Sequence, residues 1–335
     1  MEEKRKNILF INFGGLGDEI LFLPSIISVK KEFPNSKITL ALEPRSKGIT
    51  ALTNIIDETL FADIKGKGKF KGGKYIALLK LLFNIWFKRF DIVICSGSNK
   101  FIPIFLFLTF IKKRYGYNSG KLSDMLLTKA IPLNKKQYAV SMYHDLVRDI
   151  TNINTDLPEI NVERKEVIPN SVLIHPGVSL LSVKKGMIKT ISADIWAEVI
   201  EKLAGRGKQV ILAGGPDDEE VISTIIKKVP QEKFTNMYGK TKNLKELAEL
   251  ISSSETFLCS DSAPLHIGVA LGVKTYVIFG PTDDKKLIPN NGKVIPIKTN
   301  NCNCDIYPCL WEKRQTTCES LDCLKISADD IVNIF

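Results

Sequence analysis

The sequence predicts an α/β protein built from two Rossmann-like halves, each a parallel sheet flanked by helices. Three observations support this fold class. Apolar strand-like segments alternate with helical segments along the chain, a polar segment divides it near the middle, and its 335 residues suit two domains. Because 44% of the residues are hydrophobic, the chain can form two cores, and a wholly disordered chain is excluded.

The predicted elements of the first half begin with an apolar strand that a glycine-rich turn joins to a helix. Because strands that alternate with helices need crossover connections, we expect a parallel sheet here. The helix over 75–90 is amphipathic and is interpreted as a packed surface helix, with a membrane-surface role as the less favoured alternative. The predicted strands cover 7–13, 37–42, 59–61 and 91–95, and the predicted helices cover 19–31 and 75–90.

The second half repeats this alternation after a polar segment over 161–170, which we interpret as the linker between two domains. The domains are therefore predicted as 1–165 and 166–335. Ser192 can cap the helix that follows it, and Gly272 can end a later one. Strands are predicted over 171–174, 209–213, 256–259 and 275–279, and helices over 195–206, 219–228, 244–252 and 264–271.

The hydrophobic runs of the chain are short. The first residues are charged and are followed by only a brief apolar run, so we predict no secretory signal. The most hydrophobic run, 101–111, is too short to span a bilayer and contains Pro103. We therefore expect a soluble, cytoplasmic protein, with peripheral contact to the inner face of the membrane left open.

The net charge points to the class of partner. The chain has 47 Lys and Arg against 37 Asp and Glu, which gives a formal charge of +10. This balance indicates polyanionic partners, such as nucleic acid, anionic membrane or a phosphorylated substrate, or with equal weight only a lysine-rich composition. Much of the charge lies in one predicted loop, interpreted either as a flexible clamp for phosphate groups or as a solvated loop. Its lysines, which largely alternate with glycines, are Lys65, Lys67, Lys69, Lys71 and Lys74.

The first motif of functional interest is FGGLGD, residues 13–18, between the first strand and the first helix. Glycines in such a turn let the backbone approach a phosphate, and the helix N-terminus favours negative charge. The spacing differs from the dinucleotide-binding pattern G-x-G-x-x-G. Asp18 is interpreted either as a cap of this helix or as a functional carboxylate at the carboxyl edge of the sheet, where open α/β sheets bind ligands.

Three further motifs follow predicted strands of the second half. His175 ends a strand in the run IHPG and is interpreted either as a buried histidine or as one that faces a ligand. The run GGPDDEE, 214–220, places acidic residues at the start of a helix, where they complement the helix dipole or bind ribose hydroxyls. The run SDSAPLH, 260–266, places Pro264 in a first helical turn, so free backbone N–H groups form an anion site there.

With these motifs the chain resembles glycosyltransferase family 9, the ADP-heptose:lipopolysaccharide heptosyltransferase family, over nearly its whole length. The resemblance is carried, in order, by ILFINFGGLGDEILFLPSI, LIHPGVS, VILAGGPDDEE, MYGKTKNLKELAELI and CSDSAPLHIGVALGVKTYVIFGPTD. It implies a GT-B fold, in which two Rossmann-like domains face each other across a cleft. The acceptor then binds the N-terminal domain and the nucleotide-sugar the C-terminal domain. Transfer with inversion and no metal requirement for catalysis are also implied.

The resemblance implies roles for individual residues. Asp18 is the general base that deprotonates the acceptor hydroxyl. Lys189 lies where the family has a lysine near the donor phosphates, and Glu219 is assigned to the donor ribose. The other donor-binding residues are Gly15, Gly17, His175, Asp261, Ser262, Ala263 and His266, and the acceptor-binding residues are Lys65, Lys67, Lys69 and Lys71. The chain departs from the family pattern at Ala263, where the family usually has glycine, and after Lys189, where Thr-Ile replaces Arg-Trp.

Seven cysteines are present, and Cys95 and Cys259 lie in apolar strands as predicted buried thiols. The others form a Cys-rich segment, 302–323. They are interpreted either as ligands of a structural zinc or iron ion or as reduced thiols, since a cytoplasmic setting argues against disulfides. The resemblance supports a metal, because a subgroup of the family that glycosylates autotransporters binds iron in such a segment. The predicted ligands are Cys304, Cys309, Cys318 and Cys323, with Cys302 adjacent.

The sequence therefore predicts an inverting glycosyltransferase that needs no metal for catalysis. It moves a heptose or related sugar from a nucleotide-diphosphate donor, ADP-heptose, to a phosphorylated lipopolysaccharide core or similar glycan. No nucleic-acid partner is predicted. The alternatives are a family relative that uses another sugar nucleotide or a protein acceptor of the autotransporter type, a sugar-nucleotide epimerase, and a non-catalytic basic binding protein.

Overall fold

The computed structural model describes residues 5–64 and 73–335, and the chain divides into two compact units between Asn161 and Val162. Each unit contains a six-stranded sheet whose described strand pairs are all parallel. The predicted fold class, two Rossmann-like α/β units, is confirmed. The division falls a few residues before the predicted boundary, since the Asn161 N–H still donates to the Leu52 carbonyl of the first unit at 2.7 Å.

The first unit has the strand order β3-β2-β1-β4-β5-β6. Its strands are β1 (Asn7–Ile11), β2 (Lys37–Leu42), β3 (Glu58–Phe61), β4 (Ile92–Cys95), β5 (Lys113–Tyr117) and β6 (Lys129–Ile131). Its α-helices are α1 (Leu16–Glu32), α2 (Gly73–Lys88), α3 (Ile102–Leu108), α4 (Lys121–Leu126) and α5 (Ala139–His144). The central strands β1 and β4 are almost fully apolar because both faces of the sheet are covered.

Helix α1 begins directly after the glycine turn and is the most deeply buried helix of the first unit. Every residue from Glu19 to Val29 is buried, so the helix is apolar around most of its circumference rather than along one stripe. Helix α5 packs against it from the other end of the unit's sequence. This packing brings residues near position 143 to the first turn of α1.

The second unit has the strand order β12-β11-β10-β7-β8-β9. Its strands are β7 (Ile168–His175), β8 (Gln209–Leu212), β9 (Thr235–Asn236), β10 (Ser254–Ser260), β11 (Lys274–Ile278) and β12 (Val294–Ile297). Its α-helices are α6 (Leu180–Lys184), α7 (Ala193–Gly205), α8 (Glu219–Lys228), α9 (Leu244–Ser252), α10 (Ala263–Leu271), α11 (Asp284–Leu287) and α12 (Ala328–Val332). The fully buried Trp196 of α7 lies in the core of this unit.

Helix α10 lies close to the sheet at Gly268, which has no side chain. A Cβ atom at Gly268 would come within 2.7 Å of the Phe257 ring, so only glycine allows this approach. Gly272 ends the helix with a left-handed backbone, φ 66°. The loop before α10 is thereby held firmly at the carboxyl end of β10.

All the strands and helices predicted from the sequence are present, with ends shifted by a few residues. Cys95 and Cys259 are buried as predicted, and burial raises the pKa of Cys95 to about 12. Within the ranges 5–64 and 73–335, no helix is both long enough and apolar enough to cross a membrane.

Candidate active site

Each sheet has a point where the strand order reverses, and open α/β sheets bind ligands outside the strand ends at such points. The reversal lies between β1 and β4 in the first unit and between β7 and β10 in the second. Three of the four sequence motifs follow β1, β7 and β10. The fourth follows β8, which is the next strand along from β7.

Asp18 lies in the first turn of α1, where each of its carboxylate oxygens has a partner. The Gly15 N–H donates to Oδ2 at 2.7 Å, and the Tyr143 hydroxyl donates to Oδ1 at 3.3 Å. Gly15, and not Asp18 as one interpretation predicted, is the N-cap residue of α1, and Asp18 accepts its N–H from the third helical position. The second contact fixes the orientation of a half-buried carboxylate at the ligand-binding edge of the sheet. The Gly15 N–H is thereby engaged within the turn, while Gly17 lies half-buried beside Asp18.

Tyr143 reaches Asp18 from α5 and was not identified from the sequence. Its ring lies 5.3 Å, centroid to centroid, from the ring of Phe22 on α1. Burial, assisted by the negative charge of Asp18, raises the pKa of Tyr143 well above its usual value. The phenol therefore stays protonated at neutral pH and acts as a hydrogen-bond donor to Asp18.

The loops after β1 and β4 are joined by a polar contact. The Asn12 side-chain oxygen accepts hydrogen bonds from the Gly14 N–H at 3.2 Å and from the Ser96 hydroxyl at 2.8 Å. A Cβ atom at Gly14 would lie 2.3 Å from Cβ of Asp18, so this turn requires glycine. The glycine turn is therefore shaped around the aspartate.

In the second unit, Lys189 is held against the loop that follows β10. Its ammonium group donates to the Asp261 carbonyl at 2.7 Å and lies 3.2 Å from the Asp261 carboxylate. The Thr282 hydroxyl donates to the same carboxylate oxygen at 2.7 Å. Both charged side chains are largely buried, with exposed fractions of 14% for Lys189 and 4% for Asp261. Breaking such a pair costs about 3–5 kcal/mol, because one charge is left uncompensated.

A group of hydroxyls lies beneath this pair. The Ser260 hydroxyl is 2.7 Å from both the Pro176 carbonyl and the Thr190 hydroxyl, and Thr190 donates to the same carbonyl at 2.8 Å. The Trp196 indole N–H donates to Thr190 at 3.0 Å. These bonds join the ends of β7 and β10 to the segment that carries Lys189, so the lysine is fixed from both sides.

The N-terminus of α10 lies beside the Lys189–Asp261 pair, since Ser262 is its N-cap and follows Asp261 directly. The free N–H groups of a first helical turn attract anions. Ser262 and Ala263 are half-buried there, and His266 is buried one turn further on. Ala263 occupies the first helical position without disturbing the helix, so alanine is tolerated where the family usually has glycine. An ammonium group and a helix N-terminus thus lie together at the carboxyl edge of the second sheet.

This geometry agrees with the comparison of the chain with protein families. The model of glycosyltransferase family 9 (heptosyltransferase) matches residues 79–318. The chain belongs to this family. It is therefore a glycosyltransferase, as predicted, and the epimerase and non-catalytic alternatives are not supported.

Individual relatives extend over most of the chain. Lipooligosaccharide heptosyltransferase 2 of Campylobacter jejuni is 22% identical over 316 residues, which cover 88% of this chain and 93% of the relative. Lipopolysaccharide heptosyltransferase 3 of Escherichia coli is 26% identical over 282 residues, 80% of each chain. The structure of the Escherichia coli ADP-heptose lipopolysaccharide heptosyltransferase II shares the fold, with a TM-score of 0.71, 18% identity and coverage of 98% and 96%.

His175 ends β7 and is buried beside Asp218, an acidic residue that the sequence analysis did not single out. His175 Nε2 lies 3.6 Å from Asp218 Oδ2. Burial lowers the pKa of His175, against the opposing effect of the carboxylate, so the imidazole is neutral at pH 7. Burial likewise raises the pKa of Asp218, and His175 opposes that shift. The pair is buried at the end of β7, and the donor-binding role of His175 stays a prediction.

Asp218 is positioned by glycines, as Asp18 is. The Gly215 N–H donates to its Oδ2 at 2.7 Å. A Cβ atom at Gly177 would lie 1.6 Å from its Oδ1, so Asp218 reaches His175 only because residue 177 is glycine. Glu219, predicted to bind the donor ribose, is the next residue and lies exposed in the first turn of α8. Its role stays a prediction.

The Cys-rich segment of this family 9 member closes around one pocket. All five of its thiols line that pocket: Cys302, Cys304, Cys309, Cys318 and Cys323. In the part of the chain that the structure describes, however, no three His, Cys, Asp or Glu side chains are grouped so as to hold a metal ion. The segment thus supplies enough thiols for a metal site, but in the described residues they are not arranged to coordinate a metal ion.

The predicted acceptor-binding residues Lys65, Lys67, Lys69 and Lys71 lie outside the described residues, and their role stays a prediction. The prediction that Lys74 belongs to the same loop is wrong, because Lys74 lies in the first turn of α2. Within the described ranges, the sequence analysis missed Tyr143, Asp218 and Thr282. Only Asp218 had a signal in the sequence, because the pattern Gly-Gly-x-x-Asp occurs at both 14–18 and 214–218. Tyr143 and Thr282 reach the site from distant segments and required the fold.

Proposed function

We propose that this glycosyltransferase transfers a heptose, with inversion, from ADP-heptose to a phosphorylated lipopolysaccharide core or a similar glycan. Family membership supports sugar transfer from an activated donor. The names of its relatives support the heptose, the adenine nucleotide and the lipopolysaccharide acceptor. An acceptor of this kind also agrees with the formal charge of +10.

The observation that carries this proposal is the Lys189 ammonium group held at the N-terminus of α10. A nucleotide-diphosphate leaving group carries negative charge that increases as the glycosidic bond breaks. Lys189 and the free N–H groups of α10 are fixed before reaction, so they can stabilise that charge without reorganisation. Asp261 and Thr282 keep the lysine in place.

Asp18 is the proposed base in the first unit. As the acceptor hydroxyl oxygen attacks the anomeric carbon, its proton passes to Asp18 and the bond to the diphosphate breaks with its electron pair. Tyr143 donates to Oδ1. Because its high pKa keeps the phenol protonated, Tyr143 cannot take up the acceptor proton in place of Asp18. Phosphates of the acceptor are assigned to Lys65, Lys67, Lys69 and Lys71. Inversion follows because the acceptor attacks directly and no covalent intermediate forms.

Calorimetric binding of ADP, UDP, GDP and CDP to the full chain tests the donor assignment. We expect ADP to bind most tightly. Lys189→Met should weaken ADP binding by about tenfold, because a charge-assisted contact to phosphate is lost. Lys185→Met is the matched control, since Lys185 is a nearby exposed lysine. Preference for another nucleotide would change the sugar donor, and binding of none would contradict the proposal. ADP-heptose converted to an isomer without acceptor would favour an epimerase.

We further propose that the Cys-rich segment binds a structural zinc or iron ion through Cys304, Cys309, Cys318 and Cys323, while catalysis needs no metal. The five thiols around one pocket support this. Because the described side chains are not grouped for coordination, binding requires the thiols to turn towards a common point. Metal analysis of the purified protein tests the idea, with the midpoint of thermal unfolding measured before and after chelation. Absence of near-stoichiometric zinc or iron would exclude it.

A cytoplasmic location with peripheral contact to the inner membrane face fits this function, because the proposed acceptor is a glycolipid. Fractionation of cells tests it. Recovery of the protein wholly with periplasmic or extracellular proteins would contradict it.

A further inference from the structure

Helix α2 carries apolar residues on two opposite faces. Leu81, Leu82 and Ile85 are buried in the first unit. The opposite face, which looks outward, is also apolar and aromatic. By contrast, the exposed positions of α8 in the second unit are all charged: Glu219, Glu220, Lys227 and Lys228. An exposed surface helix normally has a polar outer face, so the outer face of α2 is unusual for a surface in contact with water.

This outer face continues onto the end of α3. The rings of Trp86 and Phe110 lie 5.9 Å apart, those of Phe83 and Trp86 lie 5.4 Å apart, and the Trp86 indole N–H donates to the Leu108 carbonyl at 2.9 Å. Phe87 is 81% exposed and Phe110 72% exposed. We call this surface the aromatic face and define it by Leu79, Phe83, Trp86, Phe87, Phe107 and Phe110. Contiguous apolar surface of this kind marks a contact surface.

The segment that contains the aromatic face is positively charged. Residues 73–114, which contain it, include eight basic residues and one acidic residue, Asp91. Lys74 lies 4.9 Å from the centre of the Tyr75 ring, and Arg114 lies 5.7 Å from that of Phe107. Lys80 and Lys113 are exposed. Lys88 is bound to Glu58 and is the exception, as its charge is neutralised within the unit.

We propose that the aromatic face docks onto the surface of an anionic lipid bilayer. Aromatic rings and lysines on an exposed amphipathic helix favour the interface between headgroups and acyl chains, where the rings enter the apolar region and the ammonium groups meet lipid phosphates. A protein partner or a second copy of this chain would need acidic groups to match the surrounding charge. The docking rests on the peripheral membrane contact proposed above and assigns it to one surface. It requires no particular donor or acceptor, so failure of the donor assignment would leave it unchanged.

Vesicle flotation of the full chain tests the docking. We expect the protein to float with vesicles of phosphatidylcholine that contain phosphatidylglycerol, and much less with phosphatidylcholine alone. The variant Phe83→Ser/Phe87→Ser should lose about tenfold or more in partitioning. Leu157→Ser/Val167→Ser is the matched control, since both residues are exposed and apolar but lie outside the aromatic face. Unchanged circular dichroism and ADP affinity would show that the variants are folded.

Fluorescence of Trp86 gives an independent reading. The chain has three tryptophans, and Trp196 is fully buried. In a Trp311→Phe background, the emission of Trp86 should shift to shorter wavelength when anionic vesicles are added. Flotation that is equal for wild type and Phe83→Ser/Phe87→Ser, or absent in wild type, would overturn the proposal. If the wild-type protein does not bind vesicles but forms a dimer without lipid, and Phe83→Ser/Phe87→Ser dissociates that dimer, the aromatic face binds a second copy instead.

Discussion

The turn after β1 and the turn after β8 have the same pattern, two glycines and, three residues after the second, an aspartate. In each turn the second glycine N–H donates to the aspartate Oδ2 at 2.7 Å. Their surroundings differ. Asp18 is half-buried and meets the neutral donor Tyr143, whereas Asp218 is buried beside His175.

The position of each turn in its sheet explains this difference. The strand β1 lies at the point where the strand order of its sheet reverses, and β8 lies one strand away from that point in the other sheet. The same local structure therefore presents one aspartate at a ligand-binding edge and buries the other against a strand end. A local motif defines the turn, and its place in the sheet decides whether its carboxylate is half-buried or buried.

Among substitutions that leave Asp18 itself in place, Gly14→Ala should have the largest effect on activity, and it should separate the roles of the two glycines in the first turn. Its Cβ atom would lie 2.3 Å from that of Asp18, so the aspartate must move. We expect kcat to fall by about 10²-fold, as for a displacement of about 1 Å of a catalytic group. Gly15→Ala is the steric control, because its nearest contact would be 3.6 Å. Since Gly15 is also assigned to donor binding, the two variants are compared by kcat alone. Equal activity of the two variants, measured with saturating donor and acceptor, would contradict this view of the turn.

The substitution Asp218→Ala tests the supporting role of the second aspartate. It removes the acceptor of the Gly215 N–H in a buried environment, and we expect the free energy of unfolding to fall by about 2–3 kcal/mol. Asp18→Ala should cost only about 1 kcal/mol, as for loss of a partly exposed helix cap. Urea unfolding measures both. A larger loss of stability from Asp18→Ala than from Asp218→Ala would show that Asp18, and not Asp218, is the supporting aspartate.

The pH dependence of stability should show the smallest effect. Burial lowers the folded pKa of His175 and His144 below the unfolded value of about 6.5. Their contribution to stability is therefore fully present above pH 6.5 and is lost as the pH falls through 6.5 towards the folded values. The slope per histidine should be less than about 1.4 kcal/mol per pH unit. At more acidic pH, Asp218 has the opposite effect on stability. Burial raises its folded pKa, so its protonation increases the free energy of unfolding as the pH falls.

Variants at the two histidines assign this slope to the units. His175→Gln should remove the contribution of the second unit to the slope of unfolding free energy against pH. His144→Gln should remove a contribution of the first unit. Tyr143 does not contribute to this slope, because its phenol stays protonated between pH 5 and pH 8. Urea unfolding between pH 5 and pH 8 measures the slope. A slope unchanged in both variants would show that neither histidine is responsible.

The central strands and the edge strand β3 could be predicted from the sequence, whereas β5, β6, β9 and β12 could not. Segments such as NILFI in β1 and TFLC in β10 are apolar because both faces of the sheet are covered. The strands β5 (KRYGY) and β9 (two residues) carry no such pattern, since they lie at or near a sheet edge and are polar or very short. The short helices α3 to α6 also lacked sufficient length to give a periodic signal.

The site was predictable where its residues follow strands in recognisable motifs. Asp18 and Asp261 are positions of this kind, whereas Lys189 lies between α6 and α7 and was assigned only through the family resemblance. The structure gives each of the three side chains defined partners. Tyr143 reaches Asp18 from more than 100 positions away in the sequence, through the packing of α5 on α1. Thr282 reaches Asp261 in the same way from the loop after β11. No local pattern contains such contacts, because they arise only from tertiary packing.

The activity of Asp18→Asn tests the central claim, that Asp18 and not its counterpart Asp218 removes the acceptor proton. Asparagine can still accept the Gly15 N–H but cannot take up a proton. The account predicts a loss in kcat of about 10²- to 10⁴-fold, with the Kd for ADP changed by less than about twofold. Transfer at the wild-type rate, or a similar loss in Asp218→Asn with unchanged stability, would contradict it.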